Sequence, residues 1–194
     1  MKLIDLKEYG PIHRFGDHHV YRALAYLSDC RRRGRKSLAQ GIGIGEGSVR
    51  TILEFLRDKG FVDIKQTGIQ ITKSGKYFLD GIPLEVRQIP SSNISLSEIN
   101  VGVRVRGSSN MIKSGIQQRD SAIKAGADGA TTIVFYDGVL TVPPDYVLDE
   151  NLPEYADTLR KSFDLREGDI IIIGTAHNGN DAENGAIAAA LDVL

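Results

Sequence analysis

The sequence predicts an α+β protein of two domains, with three helices and a β-hairpin first and an α/β sandwich second. Residues 1–90 carry 16 Lys plus Arg against 10 Asp plus Glu, whereas the remaining residues carry 8 against 15. Apolar residues recur at helical spacing before two alternating segments in the basic half, and strand-like and helix-like segments intermix in the acidic half. Different charge and different periodicity together predict two domains with different roles.

Composition limits the class of protein. With 41% hydrophobic residues in a chain of 194, the sequence is typical of globular proteins and excludes disordered, collagen-like and mucin-like ones. No apolar run approaches the roughly 20 residues that cross a bilayer, and acidic residues interrupt the first residues, so we expect a cytoplasmic protein without a membrane partner. A single cysteine, Cys30, excludes an internal disulfide and a cysteine-rich metal site.

The domain boundaries follow from the Pro- and Ser-rich stretch between the two charge regimes. Pro83 and Pro90, with four serines from Ser91 to Ser97, interrupt any periodicity. We therefore predict one domain over residues 1–82, a linker over 83–98 and a second domain over 99–194.

Three helices are expected in the first domain. Val20, Leu24 and Leu27 repeat at helical spacing after Asp17, and Gly34 ends this stretch. A short second helix follows Ser37 as its N-cap, and glycines at 41, 43 and 45 make the turn to the third. The third helix spans 46–59 and places Val49, Ile52, Leu53 and Leu56 on one face.

A β-hairpin follows the third helix. Residues 61–65 and 69–72 alternate like strands around the loop 66–68, which has glycine where a positive φ is needed, and a short helix follows from Thr72 to Leu79. Three helices followed by a hairpin is the order of a winged helix-turn-helix domain. The glycine series is not a nucleotide-binding loop, because it follows a helix and has Glu46 where a dinucleotide fingerprint needs its third glycine.

The segment SLAQGIGIGEGSVRTILEFLRDKGFVDIKQTGIQITKSGKYFL carries a resemblance to a known class. Over residues 17–80 the chain resembles bacterial and archaeal winged-helix transcription regulators, through five short motifs in register. The whole chain, including QQRDSAIKAGADGATTIVFYDGVL, looks like an uncharacterised archaeal family that pairs a winged helix with a conserved domain of unknown role. This resemblance implies an architecture and supplies no chemistry.

DNA binding is the function that a basic winged helix favours. The exposed face of the third helix would enter the major groove, and flanking residues would bind backbone phosphates. We expect Ser48, Arg50 and Thr51 at the bases, with Arg50 the principal reader because a guanidinium pairs with guanine. The phosphate-binding residues are expected to be Arg35, Lys36, Ser37, Lys65 and Gln66. The alternative is a winged helix that contacts a protein partner instead.

The histidines of the first domain do not predict a metal site. His13, His18 and His19 lie close in sequence, but adjacent helical residues point about 100° apart and no cysteine completes the set. No metal and no cofactor is therefore predicted.

The second domain has the order βαββαβα. Strands are expected at 99–106, 130–136, 139–142 and 169–174, with helices at 115–125, 154–163 and 181–194. This order suggests a ferredoxin-like sandwich with an added helix. The apolar edge of the last helix, with Ile187, Leu191 and Leu194, is the expected seam of a homodimer.

A polar loop in the second domain is a candidate effector site. Residues 174–181 connect a buried strand to a helix, so His177, Asn178 and Asn180 are possible contacts of a small-molecule effector. Arg104 and Arg106 would supply positive charge for an anionic ligand. The alternatives are a helix-capping loop with Asp181 as cap, and arginines that form ordinary ion pairs.

These observations predict a DNA-binding transcription regulator whose C-terminal domain dimerises and senses a small metabolite. An enzyme is the less favoured alternative, using His177 with Asp181 or Asp120, or Ser108 and Ser109 as nucleophiles. No Gly-x-Ser-x-Gly, His-Glu-x-x-His or Cys-x-x-Cys motif supports it, so we predict no catalytic residues.

Overall fold

The structure is a computed structural model that describes residues 1–3 and 15–194. It divides into two compact units, whose boundary along the chain falls between Ile82 and Pro83. His13 lies outside the described residues. Within those residues, no helix has the length and apolar character that spanning a membrane requires.

The N-terminal unit has the predicted order of three helices, a hairpin and a fourth helix. Its elements are α1 (Asp17–Tyr26), α2 (Arg35–Ile42), α3 (Glu46–Asp58), β1 (Val62–Lys65), β2 (Gly68–Ile71) and α4 (Lys73–Asp80). The apolar faces of the first three helices meet in one core, in which Leu24, Leu38, Ile52 and Leu56 are fully buried. The winged helix-turn-helix architecture is therefore confirmed.

The start of α2 differs from the prediction. The helix begins at Arg35 with Gly34 as its N-cap, so Ser37 lies inside the helix and does not cap it. The Ser37 hydroxyl instead lies 2.9 Å from the Tyr26 hydroxyl. Gly43, at φ +72°, ends α2 in the left-handed conformation that glycine adopts without strain.

One residue of the chain between α1 and α2 pairs with the hairpin. Arg33 forms a β-bridge with Ile69, through two backbone hydrogen bonds of 2.9 Å. Gly68 lies against the Arg33 backbone, where an added Cβ would come within 3.0 Å of the Arg33 carbonyl oxygen. The chain between α1 and α2 is thus hydrogen-bonded to the hairpin and helps to fix its position.

The C-terminal unit is built on a six-stranded antiparallel sheet. Its strands are β3 (Leu84–Ile89), β4 (Ile99–Val105), β5 (Gly129–Tyr136), β6 (Val139–Val142), β7 (Tyr146–Val147) and β8 (Ile170–Ala176). The spatial order is β3-β4-β8-β5-β6-β7, which puts the last strand at the centre. All seven residues of β8 are buried, as its four consecutive isoleucines predict.

Helices cover both faces of this sheet. The helices α5 (Ile116–Lys124) and α8 (Gly179–Val193) pack on one face, and α6 (Leu148–Asn151) and α7 (Pro153–Ser162) pack on the other. Gly174 of β8 lets α8 approach closely, because a Cβ there would lie 2.4 Å from the Ala182 carbonyl oxygen. Ile171 and Ile173 face the opposite way, into the core shared with Leu159 of α7.

Three features of this unit differ from the expectations. The α+β class and the α/β domain are confirmed, but the four predicted strands lie in the order β4-β8-β5-β6, whereas a ferredoxin-like sheet places the first of them between the third and the fourth. The stretch 83–98 is not only a linker, because β3 pairs with β4 along its full length. The predicted dimer seam on α8 is wrong, since Ile187 and Leu191 are buried within the unit.

Candidate nucleic-acid interface

A groove in the N-terminal unit is lined by four of the eight residues predicted to bind DNA. It has a volume of about 420 Å³ and lies between the start of α2, the exposed side of α3 and the hairpin. The polar and charged residues that line it are Arg35, Arg50, Glu54, Arg57, Lys65 and Gln66. Four of these six are cations, and they come from three separate elements.

The geometry of α3 explains which of its residues reach the groove. Because Val49, Ile52 and Leu53 are buried in the core, the opposite side of the helix faces outward. Arg50, Glu54 and Arg57 follow one another at spacings of four and three on that side, so they form one stripe.

The other two predicted base-reading residues lie beside the groove. Ser48 and Thr51 are half-buried and are not among its lining residues. The Thr51 hydroxyl lies 3.5 Å from the Gly47 carbonyl oxygen, which it approaches within the helix. Glu54 and Arg57 line the groove instead, although they were not predicted as DNA contacts. Their positions, four and seven residues after Arg50 on the same helix, were the signal that could have found them.

The Arg50 guanidinium is hydrogen-bonded through Nε, whereas its two Nη groups remain accessible. Its Nε donates to Glu54 Oε1 at 2.9 Å, and its side chain is 70% exposed. Its terminal Nη groups have no hydrogen-bond partner among the residues that the structure describes. A guanidinium in this state has two parallel N–H donors available for a bidentate acceptor.

The basic run 31–36 contains cations that are paired within the fold and cations that are exposed and can bind an anion. Arg32 donates to the Gly68 carbonyl at 3.0 Å and to Asp63 Oδ2 at 2.9 Å, and Arg33 pairs with Asp29. Arg35 and Lys36 are exposed, with no ion pair inside the described part of the chain. Only the second group lies at the start of α2, where backbone amides also favour anions.

Lys65 stands at the hairpin end of the groove. Its Nζ lies 3.3 Å from Asp63 Oδ2, with 63% of the side chain exposed, and Gln66 follows it in the exposed turn. The hydrogen bond from Arg32, helped by Lys65, holds the pKa of Asp63 below its usual value. Asp63 is therefore a carboxylate at neutral pH that fixes Arg32 and leaves Lys65 only loosely held.

The five residues predicted to bind an effector do not converge. Arg104 and Arg106 lie near the start of β8, whereas His177 and Asn178 follow its end, so the register separates the two groups by about 20 Å. Asn180 lies with the second group, in the first turn of α8.

Both groups have roles within the fold. Arg104 is buried against Glu85 at 2.6 Å and Asp169 at 3.5 Å, and Arg106 lies 3.3 Å from Asp164. Asn178, rather than Asp181, caps α8 by accepting the Asp181 amide hydrogen bond at 3.0 Å. The alternatives of ion pairing and helix capping thus describe these side chains.

A polar cavity of the C-terminal unit lies elsewhere. It has a volume of about 530 Å³ and includes Ser92, Asn93, Asn151, Tyr155 and Thr158 in its lining. Burial raises the pKa of Tyr155 above its usual value. None of the predicted effector residues lines this cavity, and no sequence motif marks it.

The histidine and Ser108, which belong to the two alternatives proposed for an enzyme, lie at opposite ends of the sheet. His177 is 86% exposed, with Nε2 3.7 Å from Asp128, whereas the Ser108 hydroxyl donates to the Arg106 carbonyl at the opposite end of the sheet. Within residues 1–3 and 15–194, no three His, Cys, Asp or Glu side chains are placed to hold a metal ion.

Comparisons with known proteins divide the chain in the same way. Residues 18–84 match the sequence model of the CggR N-terminal DNA binding domain, and residues 96–193 match that of a domain of unknown function, DUF4443. Among solved structures, a hypothetical protein from Pyrococcus horikoshii OT3 is 29% identical, with a TM-score of 0.70 over 90% of this chain and 91% of that one. No curated protein matches the chain.

Proposed function

Since the chain belongs to the DUF4443 family, whose role is unknown, and joins that domain to a winged helix, we propose that it is a DNA-binding transcription regulator. The groove of the N-terminal unit is the observation that carries the proposal. It brings Arg35, Arg50, Arg57 and Lys65 to one face, whereas the described acids within it are limited to Glu54. Such a face complements a polyanion.

The dimensions of the unit fit duplex DNA. The 13 residues of α3 extend about 20 Å, and the diameter of an α-helix, about 10–12 Å, fits the major groove of B-DNA, which is about 12 Å wide. In that position the open Nη groups of Arg50 would donate to guanine O6 and N7. Arg35 and Lys36 on one side and Lys65 on the other would contact phosphates of the flanking backbone.

The proposal predicts different effects for a base contact and a phosphate contact. Arg50→Ala should lose about 1–3 kcal/mol of discrimination at one base position. Lys65→Ala should weaken binding to all sequences alike and reduce the slope of log K against log salt by about 0.9. The measurement is binding to a duplex selected from random DNA and to its scrambled form over a range of salt concentrations.

Lys76→Ala provides the matched control. It removes the same charge from an exposed position of α4, outside the groove. We expect it to bind both duplexes as the unsubstituted protein does. If folded Arg50→Ala and Lys65→Ala proteins behave like this control, the groove is not a DNA surface and the winged helix contacts some other partner.

We also propose that the protein binds DNA as a homodimer. One winged helix presents few base contacts, and two copies related by a two-fold axis would read two half-sites. A DNA partner agrees with the expected cytoplasmic location. A small-molecule effector remains a prediction without an assembled site, because its predicted contacts lie at opposite ends of the sheet.

A further inference from the structure

Helix α5 has two different sides. Gln118 and Ala122 are buried, and Ala122 packs near Gly185 of α8, where a Cβ would come within 3.3 Å of the Ala122 Cβ. On the outer side, Ile116 is 52% exposed and Ile123 is 47% exposed. A helix of only nine residues thus presents two isoleucines outward in addition to its buried side.

These isoleucines form a stripe with two opposite charges. At 100° per residue, Ile116 and Ile123 are about 20° apart around the helix axis, and Arg119 and Asp120 lie on either side of them. Arg119 Nη2 lies 3.1 Å from Asp120 Oδ1, and both side chains are half exposed. The spacing i, i+3, i+4, i+7 is that of a helix surface which packs on another helix.

The stripe is complementary to itself under two-fold rotation. When two copies of α5 lie antiparallel with the axis between positions 119 and 120, Ile116 of each copy lies opposite Ile123 of the other. The same register places Arg119 opposite Asp120 of the other copy, twice. An isologous contact requires this kind of self-complementarity.

We propose that the outer side of α5 is a homodimer interface, occupied by α5 of a second copy of this chain. This inference rests on the homodimer of the proposed function and identifies its contact surface. Arg119 and Asp120 favour a second copy of α5 over a partner with a purely apolar surface. Such a partner would leave both charges without an opposite charge across the contact, whereas a second α5 provides one for each.

The contact should be weak without DNA. Helix α5 is about 14 Å long, so a pair of such helices buries less than the roughly 1,200 Å² of stable interfaces. Two copies on adjacent half-sites have a raised effective concentration, which strengthens a weak contact. We therefore expect dimerisation that depends on protein concentration in solution and cooperative binding to paired half-sites.

Charge reversal tests the pairing directly. Arg119→Asp makes both central positions acidic, and Asp120→Arg makes both basic, so each variant should repel itself and weaken self-association at least tenfold. Mixing the two variants should restore association, because the acidic pair of one chain then faces the basic pair of the other. Analytical ultracentrifugation over a concentration series measures all three samples.

Lys161→Asp and Asp157→Arg are the matched controls. They change charge equally at exposed positions of α7, on the other face of the sheet, and should leave self-association unchanged. If the α5 variants dimerise like these controls, or if their mixture stays monomeric, the interface is overturned while the homodimer stands. If the unsubstituted protein is monomeric both free and on its selected duplex, the homodimer itself is overturned, and DNA binding through Arg50 is judged separately.

Discussion

The basic run 31–36 should separate into two functions when its arginines are removed one at a time. Arg32→Ala and Arg35→Ala each delete one positive charge three residues apart. The first removes hydrogen bonds to the Gly68 carbonyl and to Asp63, whereas the second removes no contact seen in the described part of the chain. We expect the first to change stability and the second to change DNA affinity.

The magnitudes follow from the contacts. Loss of the Arg32 bond to the Gly68 carbonyl should cost about 0.5–1.5 kcal/mol, and the exposed pair with Asp63 adds little. For a unit of this size, 1 kcal/mol lowers Tm by roughly 4–8 °C. Arg35 is exposed, so its removal should change the free energy of unfolding by less than about 0.5 kcal/mol.

DNA affinity should be reduced more by Arg35→Ala than by Arg32→Ala. One lost phosphate contact reduces the salt slope by about 0.9, which near 0.15 M salt corresponds to roughly fivefold weaker binding. Differential scanning calorimetry and a salt titration of DNA binding measure both variants. A stable Arg35→Ala protein with an unchanged salt slope, or an Arg32→Ala protein with an unchanged Tm, would refute this division of the run.

Two further predictions concern packing and pH. Gly174→Ala should destabilise the C-terminal unit by about 1–3 kcal/mol or more, because its Cβ would meet the Ala182 carbonyl oxygen at 2.4 Å. Gly179→Ala has open space around its Cβ and should not destabilise the unit, so calorimetry of the two variants tests the prediction. Burial, with smaller contributions from neighbouring charges, lowers the pKa of His19 from 6.5 to about 3, so its contribution to stability is complete above about pH 6.5 and is lost as pH falls toward 3. His19→Gln keeps an acceptor for the Gly16 amide but does not titrate, so it should flatten this part of the stability profile in acid unfolding curves; an unchanged profile would contradict the assignment.

Local patterns predicted most helices and strands, because burial on one side imposes a period of 3.6 or 2 on the residues themselves. The strand β3 was missed for a physical reason. It is a short edge strand between Pro83 and Pro90 and is mostly half-buried or exposed, so its alternation is weak. The central position of β8 was also missed, because strand order depends on contacts between residues far apart in the chain.

The candidate site was predictable in part. Helical spacing identified Arg50, which lies in the groove, but it did not distinguish Arg35 from Arg32 within one basic run. That distinction depends on which cation meets Gly68 and Asp63 across the hairpin, a contact about 30 residues away in sequence. The predicted effector site failed to assemble for a similar reason, since β4 and β8 run antiparallel and carry its two halves to opposite ends.

Contact between duplex DNA and the groove that α2, α3 and the hairpin form can be located residue by residue by NMR. In a titration of the protein with its selected duplex, followed by backbone amide shifts, we expect the largest shift changes at residues 34–37, 48–57 and 64–68. These changes should be lost with scrambled DNA at moderate salt. Changes that are confined to residues 83–194, or that avoid the groove, would contradict this contact.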